Sequence, residues 1–170
     1  MKILFVIASD RFMDSGYIAP KEILEEHGVE CITASIIHGT CYGIHGEIVE
    51  SDLSLDEVEP ADYDGVIITG GIGCQDQLWR NAKLIDIVNK IGTAGKLTAA
   101  ICLGVPIIGE AGLLAGKKVA CLGSPASKRL LTLDKAEILD AKVVVDGKIV
   151  TAKLPSDADE FAHAILSVIS

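Results

Sequence analysis

The sequence predicts an α/β sandwich with a mainly parallel, doubly wound sheet, and three observations carry that expectation. Apolar residues make up 49% of the chain but aromatics only 4%. The core must therefore be filled by Val, Ile, Leu and Ala, as parallel strands covered by helices on both faces usually are. Short continuous apolar runs alternate with segments of helical period, joined by short connections. The third observation is the stretch 97–106, an apolar run ending at Cys102, with Ala100 two places before it and Gly104 two places after. This is the pattern of a nucleophile elbow, where a strand turns so sharply into a helix that neighbouring side chains must be small. It is expected to hold Cys102 in a strained backbone conformation at the carboxyl end of its strand, near a helix N-terminus. A thiol placed there should ionise more readily than a free one.

Bulk properties narrow the function. A chain of 170 residues makes one domain with a sizeable core. A formal charge of −9 repels phosphate backbones, which argues against nucleic acid and anionic membranes as partners. Five cysteines, at 31, 41, 74, 102 and 121, are an odd number without a C-x-x-C pair, so no secreted disulfide framework is expected. The N-terminal apolar run, 3–8, is too short for a membrane span and reads as a first buried strand. A cytoplasmic protein is the expectation.

The elements follow in order. Residues 2–8 form the first strand, and 9–14 a loop at its carboxyl end, where open α/β sheets bind ligands. Helix 1 starts at Asp14 or Ser15, either of which can cap it, and stops at His27-Gly28; Pro20 predicts a kink or a late start. Residues 29–36 are strand 2. His38, Cys41 and His45 resemble a ligand set, but no fourth ligand is near, and the glycines between them argue for a surface hairpin with 47–53 as its second arm. A helical turn at 55–58 precedes a buried strand at 63–69. Gly70, Gly71 and Gly73 then allow backbone amides to approach an anion, although the spacing is not that of a dinucleotide fingerprint.

Residues 75–91 have helical apolar spacing, with Trp79 on a core or an interface face. Cys74 lies on the glycine loop that should face the elbow and is a candidate second thiol. After the elbow a helix is expected over 106–114, with a glycine stop at 116, followed by a short strand at 118–122. Residues 125–134 form a helix or loop. Strands at 141–145 and 148–152 flank the turn Asp146-Gly147, and Pro155 opens the final helix, striped by Phe161, Ala164, Ile165 and Val168. His27 and His163 read as solvated surface residues.

Taken together, Ala99-Ala100-Ile101-Cys102-x-Gly104, then Ile108-x-Glu110-Ala111-Gly112-Leu113-Leu114-x-Gly116, resemble the ThiJ/PfpI superfamily. The segments 63–71, 43–46, 143–151 and the closing helix add to the likeness in family order across nearly the whole chain. The resemblance implies a flavodoxin-like fold, a homodimer or larger assembly, Cys102 as the reactive residue, and an anion pocket from the amides of Gly71 and Leu103. No cofactor and no metal are expected. Peptidase, glyoxalase or deglycase action and oxidative-stress sensing are the activities attached to the family.

Three positions depart from the family's pattern. Leu103 stands where peptidase-like members have histidine. Gly16, four residues before Pro20, stands where most members have the glutamate that bonds the cysteine. The segment 121–125 lacks the histidine that other members place there. Asp10 and Asp14, on the first loop, are the candidate replacements for the acid/base role. A cysteine hydrolase needs a base and a leaving-group acid, so peptidase or amidase action is the weaker expectation. A class I glutamine amidotransferase is weaker still, for want of a downstream His-x-Glu pair. The leading expectation is a reactive Cys102 acting on or sensing small electrophiles or oxidants. The alternative from another class is a non-catalytic dimeric binding or chaperone-like module.

Overall fold

The computed structural model describes residues 1–170. Strand β1 (Lys2–Val6) passes through a short β2 (Asp10–Phe12) into helix α1 (Asp14–Glu26). Next come β3 (Glu30–Ser35), β4 (Thr40–Gly43), β5 (Ile48–Glu50) and β6 (Leu53–Ser54). The middle of the chain forms β7 (Gly65–Ile68), α2 (Ile72–Gln77), α3 (Ala82–Thr93), β8 (Leu97–Ile101) and α4 (Val105–Glu110). It closes with β9 (Lys118–Val119), α5 (Pro125–Leu133), β10 (Glu137–Ile138), the hairpin β11 (Val143–Asp146) and β12 (Ile149–Ala152), and α6 (Ala158–Ile169).

Seven strands form the central sheet in the order β11-β12-β8-β7-β1-β3-β6. Every neighbouring pair is parallel except β11 with β12, which the Asp146-Gly147 turn makes antiparallel. The chain winds outward from β1 through β3 and β6, then returns to β7 on the other side. The loops after β1 and β7 therefore meet at a switch of winding direction, where such sheets hold their ligands. The strands are apolar throughout because both faces are covered: Leu4, Val6, Val66 and Ile68 enter one core cluster, and Ile3, Phe5 and Ile67 the other. Leu84 and Ile87 of α3 and Leu131 of α5 cover the first face, while Tyr17 and Leu24 of α1 and Phe161 and Ile165 of α6 cover the second. No helix is long and apolar enough to cross a membrane.

Several boundaries differ from expectation, each for a local reason. Helix α1 starts at Asp14 and runs through Pro20 without a break. The amide that Pro20 lacks leaves the Gly16 carbonyl free to accept from Thr69 Oγ1 at 3.5 Å. The 75–91 segment is two helices. Arg80 takes a left-handed φ of 60°, and the Asn81 side chain accepts from the Leu84 amide to start α3 afresh. The elbow helix ends at Glu110, not near 114. Gly112, at φ 78°, closes it with bonds from Gly112 N–H to Gly109 and from Leu113 N–H to Ile108. Strand β9 is only two residues long and pairs with β10 outside the central sheet. The 40–50 hairpin forms as expected and joins β2 in a small three-stranded sheet.

Candidate active site

The site is built where β8 ends. Ile101 is still extended, at φ −124°. Cys102 then flips to φ 56°, a left-handed conformation that an L side chain adopts at a cost of about 1–2 kcal/mol. The turn it makes is tight enough to demand glycine on either side. A Cβ at Gly104 would lie 2.7 Å from the Ile68 carbonyl oxygen. At Gly70 it would lie 2.9 Å from Cys102 Cβ.

The amides of Leu103 and Gly71 both donate to the Cys102 sulfur. The Leu103 peptide is fixed from its other side as well, since its carbonyl accepts from Trp79 Nε1 at 2.6 Å and from Cys74 Sγ at 3.5 Å. Cys102 itself is only 5% exposed. Burial pushes its thiol above the ordinary value, and the two amides pull it only part of the way back. The expected easier ionisation is thus corrected: the sulfur sits too deep for two amides and a six-residue helix to offset desolvation.

The other candidates separate. Cys74 lies in the first turn of α2 rather than on the glycine loop, is fully buried, and is driven strongly up by desolvation. Asp14 does not cap helix α1, whose N-cap is Met13. Its two carboxylate oxygens accept from the amides of His45 and Glu47, each at 2.9 Å. Burial would raise Asp14, but these bonds and its own amide outweigh it and hold the carboxyl below its usual range. It is a clasp on the hairpin and is already occupied. Asp10 is exposed and bonds Arg11 Nε at 3.1 Å. At Gly16 a Cβ would make ordinary contact with Ile101 Cγ2 at 3.4 Å, so the position where the family's glutamate is missing opens beside the elbow. His38 pairs with Glu57, and no group of three His, Cys, Asp or Glu side chains is placed to hold a metal.

Two features escaped the sequence reading. Trp79 clamps the Leu103 carbonyl; its being the chain's lone tryptophan was the only hint. Glu110 accepts from the Arg80 amide at 2.7 Å while its Oε1 is buried without a partner.

A doubly wound, flavodoxin-like sandwich with a cysteine at the turn after its central strands, facing backbone amides, defines the class: ThiJ/PfpI-type α/β proteins. The particular family follows. The family model described as DJ-1/PfpI matches residues 1–168, and the chain belongs to that family. It is 35% identical to an uncharacterised protein of Methanocaldococcus jannaschii over 99% of this chain and 82% of that one. It is 37% identical to a protein of Pyrococcus horikoshii named a deglycase, over 92% of each. Among solved structures it resembles the ThiJ/PfpI domain protein of Brachyspira murdochii, with a TM-score of 0.94 and 33% identity over 99% of this chain and 95% of that one.

Proposed function

We propose that the protein acts through Cys102 on small electrophiles, with deglycase- or glyoxalase-like carbonyl chemistry as the leading reading and oxidant sensing at the same sulfur beside it. The observation that carries the reading is a strained cysteine whose sulfur faces two backbone amides. In the carbonyl step the thiolate forms a bond to the carbonyl carbon, the C=O π pair moves to oxygen, and that oxygen takes up a proton from water, leaving a hemithioacetal and hydroxide. The amides of Leu103 and Gly71 stabilise the anionic sulfur before the step. The deglycase name of the Pyrococcus relative supports this chemistry at the level of the family.

A resident acid is the missing part. Gly16 stands at the family's glutamate position, Leu103 replaces histidine, and the Asp14 carboxylate is engaged by the hairpin. Turnover by the wild type is therefore slow. Methylglyoxal consumption tests the reading: Cys102→Ser abolishes it, and Gly16→Glu raises it on the order of 10²-fold by supplying the proton donor. Consumption by Cys102→Ser at the wild-type rate would overturn it.

A further inference from the structure

A hollow beside the elbow is not lined by Cys102. It is a cleft of about 900 Å³ between the α2–α3 turn and helix α5, walled by Gln75, Asp76, Trp79, Arg80, Arg129 and Leu133 together with smaller residues. That volume suits a small organic ligand. Trp79 joins it to the site, since the same indole that forms its wall donates to the Leu103 carbonyl.

The charges on this wall are unusual for a chain of net charge −9. Two guanidiniums, Arg80 and Arg129, line one cleft, and neither has an acidic partner within ion-pairing distance. Asp76, the one acid on the lining, is engaged by Arg11 at 2.6 Å. Arg80 is held at the rim in its left-handed conformation by the bond from its amide to Glu110 Oε2. The strained Arg80 backbone is thus fixed by a half-buried carboxylate, and its side chain is exposed. Trp79 and the 68% exposed Leu133 add apolar surface beside the two cations.

From this juxtaposition we propose that the cleft binds a small organic carboxylate with an apolar body, the carboxylate taken by Arg80 and Arg129 and the body laid against Trp79 and Leu133. Planar guanidiniums match a carboxylate bidentately. The nearby Asp76 and Glu110 favour a single negative charge over the double charge of a phosphate, because each added charge repels them again. The proposal stands apart from the chemistry of Cys102, since binding is read without turnover.

Trp79 is the chain's only tryptophan, so intrinsic emission reports on the cleft directly. The probes are N-acetyl-L-leucine, its neutral amide N-acetyl-L-leucinamide, and acetate. The acid is expected to change the emission saturably, with the amide and acetate at least about tenfold weaker. Arg80→Gln and Arg129→Gln each weaken the acid by about tenfold or more while the circular dichroism spectrum stays unchanged. Equal binding of acid and amide, equal binding of acid and acetate, or wild-type affinity in both variants overturns the proposal. If Arg80→Gln loses its fold, Arg129→Lys decides: it keeps the charge but loses the fork, and unchanged affinity would overturn bidentate capture.

Discussion

Cys102 feels desolvation in one direction and two amides in the other, and desolvation wins. The consequence is a labelling order that exposure alone would get wrong. Cys31 is the most accessible of the five thiols, yet burial and its acidic neighbours push it up to about 12. Cys74 is fully buried with its Sγ donating to Leu103. In the folded protein iodoacetamide should therefore modify Cys102 ahead of Cys31, at a rate that climbs with pH to a midpoint above the ordinary thiol value, while Cys74 stays silent until unfolding. Peptide mapping after timed labelling checks this; Cys31 reacting ahead of Cys102 would contradict it. The bend at Cys102 was legible because Ala100 and Gly104 are local sequence facts. The direction of its ionisation was not, because depth beneath the surface is set by packing between segments far apart in the chain, as where Gly70 meets the Cys102 Cβ.

At the scale of elements, the 40–50 hairpin shows what sequence patterns carry and what they omit. Glycines and alternating residues announced the turn, but nothing in the order of residues said that Asp14, 31 positions before His45, would fasten it. The same limit explains why 75–91 read as one helix. Apolar spacing continues across 78–82, and the break there comes from the left-handed Arg80, whose amide bonds the distant Glu110, and from the cap that Asn81 makes on the Leu84 amide. Replacing Asp14 with alanine strands two amides that now donate to a carboxylate, at a cost on the order of 2–3 kcal/mol. The expected result is a lower thermal midpoint and faster hydrogen exchange at His45 and Glu47, with the central sheet's slow amides protected as before. Because the folded carboxyl sits below its ordinary value of 3.8, this contribution is fully present above that pH and is lost as pH falls through the lower folded value.

For the molecule as a whole, the half-buried carboxyls Glu110 and Asp134 act in the opposite sense. Glu110 is raised first by burial and then by the nearby Asp134, which is itself raised by burial. Between the unfolded value of 4.5 and the higher folded one, the native state holds a proton that the unfolded chain has released, so stability falls as pH rises through that window. The net charge of −9 adds self-repulsion in the same direction toward neutrality. Stability should therefore peak in mildly acidic solution: below the peak Asp14 loses its bonds, and above it Glu110 becomes a half-buried anion with Oε1 unpartnered. Glu110→Gln separates the two arms. The glutamine oxygen can still accept from the Arg80 amide, but the side chain no longer ionises. Denaturant midpoints measured from about pH 2 to 8 should then decline less steeply on the alkaline side than in the wild type, with the acid arm unchanged. An equally steep decline in the variant would take the slope away from Glu110 and leave it to Asp134 and surface repulsion.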